Sequence, residues 1–276
     1  MVARVRESQA PDNSRTCTHS MDWPSALIEA VTIRKVEDIR PAATALNAAG
    51  AERGFRVAGT SDIASPNQLT DHAGALVNAE IFGWTADGQR WWEDKRLALS
   101  SPLPRACRYE SEPFWCNEDG ARTQVPNPFL EGLSFGDFSK FVRAPSAIVV
   151  PVHLPFGQIA AASYTPIDYD WADLSEQFAI YGEMFATLSR RFLASYAMIA
   201  ESHKWIPRDC RLSKREVECL RWAAVGKTDK EISMILSLSH ATVRYHVQRA
   251  GEKLNAVNRS QAVFKAGQLG YVGTAA

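Results

Sequence analysis

Apolar positions recur at steps of three and four from Leu174 through Phe178, Tyr181, Phe185, Leu188, Phe192 and Tyr196 to Ile199. That spacing gathers side chains on one face of an α-helix, and a helix of roughly 30 residues is predicted there. The stripe suits a core, and its outer turns also suit a dimer seam. Upstream the period changes. The runs "AIVVPVH", from Ala147 to His153, and "IAAASYT" flank the turn segment "LPFGQ", which reads as a β-hairpin. Between Trp23 and the hairpin the chain reads mainly as helices, with Pro24 and Pro41 suited to first helical turns and Gly54 to a stop. Residues 1–22 are polar and without periodicity, so a disordered leader is expected, with Met21 as an alternative start. "WIPRDCRL", in which Pro207 breaks the helix, marks a linker.

Beyond the linker, helix punctuation is dense. Ser213 with Glu216, Thr228 with Glu231 and Asn258 with Gln261 each fit a capping box, and Ser239 suits an N-cap. Four helices are predicted, at about 214–225, 229–236, 240–254 and 259–268. Gly226 closes the first, and "LSLS" separates the second from the third with the spacing of a helix-turn-helix. On the third, Val243, Val247, Ala250 and Leu254 share one face, leaving His240, Arg244, Tyr245, Gln248 and Arg249 outward. Any amphipathic helix has a solvated polar face. Here the face belongs to the second helix of a helix-turn-helix, the element that the major groove of B-DNA admits.

Charge strengthens that reading. The whole chain balances 31 Lys and Arg against 31 Asp and Glu, yet residues 207–276 hold twelve of the former and six of the latter. The tail therefore carries +6 and the remainder −6, as expected of a polyanion-binding module behind an acidic carrier domain. A length of 276 residues with 46% hydrophobic content supports one good core and a second, smaller domain. No run approaches the ~18 apolar residues of a membrane span, and no apolar export signal follows the N-terminus, so a cytoplasmic protein with no membrane partner is expected. The five cysteines form no C-x-x-C pair and suit a reducing compartment. With no H-E-x-x-H and no phosphate-binding glycine loop, no cofactor and no metal are expected.

Two other classes fit the residues less well. "GLSFG", Gly132 to Gly136, matches the G-x-S-x-G nucleophile elbow in form, but that elbow needs a strand before the serine and a helix after it. "VPNPFLE" is a poor strand and Pro145 cuts short the segment after the serine, so a hydrolase centred on Ser134 is not expected. A receiver domain would need an apolar strand ending in a phosphoacceptor Asp, and the first 150 residues offer none.

The stretch from "LSKREVECLRWAAVGKTDKEI" through "TVRYH" and "KL" to "NRSQAV" resembles the C-terminal DNA-binding domain of LuxR-type transcriptional regulators over about 60 residues, with Glu216, Leu220 and Gly226 on the family's signature positions. The resemblance implies that Arg244, Tyr245 and Gln248 enter the major groove. It places Lys227, Thr228 and Thr242 near the phosphate backbone, with His240 and Arg249 beside them. Arginine suits a guanine edge and glutamine an adenine edge, whereas Lys227 and Arg249 supply salt-sensitive affinity. The last helix, with Ala262, Val263 and Ala266, resembles the family's dimerisation helix. A homodimer on an inverted repeat of double-stranded DNA, with RNA polymerase as a further partner, is what the likeness implies.

The acidic domain resembles the autoinducer-binding domain of quorum-sensing LuxR receptors, which take N-acyl homoserine lactones. Anchored on Pro102 and Trp115, the chain places Gly88, Trp92, Ser101, Trp115 and Ala147 at the family's pocket positions. Ser101 stands where the family has an Asp that accepts the lactone amide. Losing a buried hydrogen bond to a charged group costs about 1.5–3 kcal/mol, roughly 10- to 100-fold in affinity. Trp92, where the family has a Tyr, donates but does not accept. Trp84, Trp91, Trp92 and Trp115 suit an aromatic pocket for another small-molecule signal, and equally suit packing. The expected fold is α+β: a disordered leader (1–22), an α/β/α sandwich of sensory and dimerisation type (23–203), a linker (204–212) and a four-helix helix-turn-helix domain (213–276). The expected function is a DNA-binding "solo" regulator with a diverged ligand site. The alternative is a ligand-independent regulator controlled by dimerisation or a protein partner.

Overall fold

Alternation along the strands divides the first domain into two cores. The computed structural model describes residues 25–65, 68–84, 101–136, 138–168, 170–200 and 210–273. The leader, most of the predicted linker, Gly88, Trp91 and Trp92 lie outside the described residues. The first domain contains α1 (Ser25–Ala30), α2 (Ile39–Ala51), β1 (Phe55–Thr60), α3 (Val77–Glu80), α4 (Pro102–Ala106) and β2 (Phe114–Asn117). It continues with β3 (Gly120–Thr123), α5 (Pro128–Glu131), α6 (Phe138–Val142), β4 (Ser146–His153), β5 (Ile159–Pro166) and α7 (Ser175–Ala200). The strands form one antiparallel sheet in the order β1-β5-β4-β2-β3.

The predicted hairpin is present as β4 and β5, in a register that sets Ile148 opposite Tyr164 and His153 opposite Ile159. Because side chains alternate along a strand, Ile148, Val150 and Val152 join Phe55, Val57 and Tyr164 under α2 and α7. Ala147 and Val149 join Phe114 and Cys116 on the opposite face, against Ala106 of α4, Cys107 just after it, Leu130 of α5 and Phe138 of α6. Helices thus cover both faces, and the domain is the expected α/β/α sandwich. This double cover explains why β4 reads as a continuous apolar run.

The apolar stripe of α7 is core along its middle. Phe185, Leu188, Phe192 and Tyr196 are buried, while Phe178, Tyr181 and Ile199 toward the two ends are half-buried against the same core; Ile180 and Met198, off the stripe, are exposed. Phe185 stacks on Tyr164 with ring centroids 3.9 Å apart and meets Phe55 edge-on at 5.4 Å. Burial pushes the Tyr164 phenol up, and its hydroxyl is satisfied by Ser189 Oγ at 2.8 Å.

Strands β1, β2 and β3 carry no strand prediction, since each is short and is recruited by distant partners. The outer edge of β1 is closed by side chains. Asn78 donates to the Gly59 carbonyl at 2.8 Å and accepts from the Gly59 N–H at 2.9 Å, pairing this edge as a neighbouring strand would. Trp84 extends the closure by donating its indole N–H to the Val57 carbonyl at 2.5 Å.

The second domain comprises α8 (Lys214–Ala224), α9 (Asp229–Leu236), α10 (His240–Lys253) and α11 (Arg259–Gln268), whose ends lie within a residue of the predicted ones. Leu212, Leu220, Ala250, Leu254, Ala262 and Ala266 form one core cluster, and Cys219, Ala223, Ile232, Val243 and Val247 a second. Ala262 and Ala266 are 1% and 0% exposed, so these two residues of the expected dimer contact are spent inside their own domain. On α11 it is Phe264 that stands out to solvent, with Val257 before it.

Truncating Phe185 to Ala is expected to cost about 3–5 kcal/mol in the sandwich, because both aromatic neighbours lose their partner around a cavity. Urea unfolding followed by tryptophan fluorescence checks this; the helical domain's transition should stay in place.

Candidate nucleic-acid interface

Caps on both sides hold α10 in place. Ser213 accepts from the Glu216 N–H, and Glu216 accepts from the Ser213 N–H at 2.7 Å, closing both arms of a capping box. Thr228 and Glu231 do the same for α9. Ser239 accepts from the Thr242 N–H at 3.0 Å, and its hydroxyl lies 2.7 Å from that of Thr242. The Asn258 box is half formed. Asn258 caps α11 by accepting from the Gln261 N–H, but the Gln261 amide oxygen reaches one residue further, to the Val257 N–H.

Gly226, with φ of +88°, ends α8, and Ser237 ends α9 in the left-handed region at +52°. Such a backbone costs a serine about 1 kcal/mol, and it makes the sharp turn that sends α10 across α9.

The carboxylate of Glu216 has a second task. Lys253, at the last turn of α10, donates to it at 2.7 Å, although Glu216 is only 5% exposed. Burial alone would raise the Glu216 pKa; the Lys253 ammonium and the Ser213 N–H outweigh it and hold the carboxyl below its ordinary value of 4.5. The same residue therefore fixes the start of α8 and the end of α10.

On the outer side of α10, His240, Arg244, Tyr245, Gln248 and Arg249 are all exposed, Tyr245 by 59%. Val243 and Val247 point inward, as predicted. Among the described residues Arg244 has no ion-pair partner, and its guanidinium is free to meet a ligand. Lys227, half-buried ahead of α9, lies 3.7 Å from Glu231, while Thr228 is exposed and Thr242 half-buried at the helix N-termini. Arg259 ties α11 to this end of α9: it donates to the Lys227 carbonyl and lies 3.6 Å from Asp229. Glu252 was not singled out from the sequence. It receives Arg249 at 2.8 Å and Gln248 at 3.3 Å, a contact that the i, i+3 and i, i+4 spacing encodes.

The candidate ligand residues do not converge. Trp115 is 7% exposed and packs in the core under α7, because Phe114 and Cys116 on either side take the other face. Trp84 packs against that same core and spends its indole N–H on β1. Ser101 is 2% exposed immediately before α4, which packs on the opposite face. Beside α4 lies a cavity of about 40 Å³ lined by residues including Ala58, Thr60, Leu103, Cys107, Val149 and Ser163. Ser134 follows helix α5 and not a strand, so the nucleophile elbow is not formed.

Residues 211–266 match the family model described as bacterial regulatory proteins, luxR family. The helical domain belongs to the luxR family. The chain is 34% identical to the transcriptional activator protein VanR of Vibrio anguillarum over 123 residues, 45% of this chain and half the length of that relative. It is 29% identical over 191 residues to RpaR of Rhodopseudomonas palustris, an HTH-type quorum sensing-dependent transcriptional regulator, covering 69% of this chain and 73% of that one. The crystal structure of Escherichia coli SdiA shares the fold, with a TM-score of 0.52 at 20% identity over 90% of this chain and 97% of the other. The shared fold therefore spans both the sandwich and the helical domain of this chain.

In this luxR-family domain the Glu216–Lys253 pair predicts an acid-sensitive stability. A carboxyl whose folded pKa is depressed contributes stability that is present above its ordinary value of 4.5 and is lost as pH falls through the folded value. Thermal unfolding of the full chain between about pH 3 and pH 7 should show this loss in the helical domain's transition. Glu216→Gln should lower stability at neutral pH and flatten the acid limb.

Proposed function

We propose that this chain is a sequence-specific DNA-binding transcriptional regulator of the LuxR type that binds an inverted repeat as a homodimer in the cytoplasm, with RNA polymerase as a partner. Helix α10 is the reading element. The observation that carries this is the outer face of α10, where Arg244, without an ion-pair partner among the described residues, stands beside Tyr245 and Gln248 on a helix clamped at its far end by Glu216 and Lys253. Arg244 and Gln248 have the donor geometry for guanine and adenine edges, and Tyr245 adds apolar contact to a base or sugar. Lys227, Thr228, Thr242, His240 and Arg249 form the phosphate-facing border. The names of VanR and RpaR support the regulatory reading.

The sandwich domain is the sensor, diverged from a receptor for acyl homoserine lactones. Ser101 lacks the carboxylate that a lactone amide would meet, and Trp84 and Trp115 are engaged in packing away from α4. The cavity beside α4, about 40 Å³, is far smaller than the several hundred Å³ of a ligand pocket, so a signal would enter this face only with repacking around α4. The same dense packing favours the second reading, a sensor domain that works without ligand, through dimerisation or a protein partner.

A duplex selected from a random library by the full chain provides the specific probe. Arg244→Ala should weaken binding to it by about 10- to 100-fold, the worth of one bidentate base contact, and should alter binding to unrelated duplex far less. Fluorescence anisotropy at fixed salt checks both, and unchanged specific binding would refute the role given to α10. Acyl homoserine lactones of several chain lengths, at micromolar concentration, should leave the melting temperature unmoved. A rise of several degrees with any of them, as binding linkage requires, would overturn the assignment of a diverged site.

A further inference from the structure

The charge that α10 can offer a polyanion is smaller than its composition suggests. Three cations lie along the helix: Arg244, Arg249 and Lys253. Lys253 is committed to Glu216 at 2.7 Å. Arg249 donates through Nη1 to Glu252 Oε2 at 2.8 Å, and Gln248 donates through Nε2 to Glu252 Oε1 at 3.3 Å. One carboxylate thus occupies two of the side chains that α10, as the reading helix, turns toward DNA. The two ends of the ion pair are 48% and 49% exposed, and an exposed pair of this kind adds little to stability. Its effect on a ligand is larger in kind. A guanidinium already neutralised releases no counterion when a phosphate approaches, and the carboxylate beside it repels that phosphate. Glu252 also orders the Gln248 amide, so the side chain that reads a base is held in one direction before contact.

We propose that Glu252 is a specificity-determining residue of the DNA interface: by engaging Arg249 and Gln248 on the outer face of α10, it suppresses sequence-independent phosphate binding and positions Gln248 for base readout. The proposal rests on α10 being the DNA-binding helix. Arg249 contributes to a phosphate only when a well-matched site draws it away from Glu252, so the ratio of specific to non-specific affinity rises. Glu252 touches no reacting group, and its effect runs through Arg249 and Gln248.

The test uses the full chain with Glu252→Gln, which keeps the side chain's size and an acceptor for Gln248 but removes the charge. Affinity for an unrelated duplex and for the selected site is measured across a salt series. The variant should bind unrelated duplex several-fold more tightly at low salt. The slope of log K against log salt should steepen by about 0.9, one phosphate contact. Specific binding should gain less, so the specificity ratio falls by about threefold or more. The double variant Arg249→Ala with Glu252→Gln should lose the non-specific gain, which a purely structural role for Glu252 would not predict. If wild type shows salt-dependent, site-preferring binding while Glu252→Gln leaves both slope and ratio unchanged, the proposal is overturned and the reading of α10 stands. A gain that persists in the double variant also overturns it, since Glu252 would then act otherwise than through Arg249. If wild type binds no duplex at any salt, the reading of α10 falls and this proposal with it.

Discussion

Glu216 answers two demands with one carboxylate. Its helix needs an acceptor for an unpaired N–H at its start, and the carboxylate itself, nearly buried, needs the counter-charge that Lys253 brings from the end of α10. A buried carboxylate is costly to leave unpaired, so each partner makes the other necessary. The consequence is geometric. The inward side of α10 is fixed by Val243, Val247 and Ala250 in two apolar clusters, and its far end is fixed by an ion pair with a second helix. Rotation of α10 about its axis would break both. The outward direction of Arg244, Tyr245 and Gln248 is therefore a result of packing elsewhere.

The sandwich domain follows a different logic. Its sheet is covered on both faces, so every strand residue from Ser146 to Val152 is buried and each must find a place in one of two cores. This removes freedom from the aromatic residues. Trp115 cannot turn toward α4 without exchanging places with Phe114 or Cys116, because a strand has no intermediate direction to offer. Trp84 is held by β1, whose exposed edge would otherwise leave carbonyl and N–H groups unpaired. Packing therefore holds Trp84 and Trp115 in one core while Ser101 is buried beside the other.

Legibility in the sequence tracked the range of the interaction. Caps, turns and the ends of α8 to α11 depend on residues within four positions of one another, and the pattern located them to within a residue. The hairpin of β4 and β5 was equally local. Strand β1 was not, since its register is set by Thr165 and Pro166 far along the chain and its edge by Asn78. The half-formed cap at Asn258 shows the limit even for local motifs: Gln261 had the spacing of a capping box, and its amide nevertheless chose the Val257 N–H. Ala262 and Ala266 had the small size of a helix contact, but which helix they contact depends on Leu220 and Leu254, which sequence spacing cannot report.

The net charge of +6 on the last 70 residues sets the helical domain apart from the acidic remainder, yet net charge is a poor measure of what a polyanion meets. Arg215 is paired with Glu218, Lys227 with Glu231, Arg249 with Glu252, Lys253 with Glu216, and Arg259 with Asp229. A phosphate backbone approaching this surface exchanges existing pairs for new ones, and each exchange yields less than capture of a free cation would. Random contact is weakened in proportion to the number of such pairs. In the proposed role of Arg244 a matched contact is not, because Arg244 has no carboxylate partner among the described residues and the base edges offer directed acceptors that no internal carboxylate replaces. With α10 in its proposed role, the internal pairs shift the balance of affinity from the sequence-independent component toward the sequence-dependent one, at the expense of total binding strength.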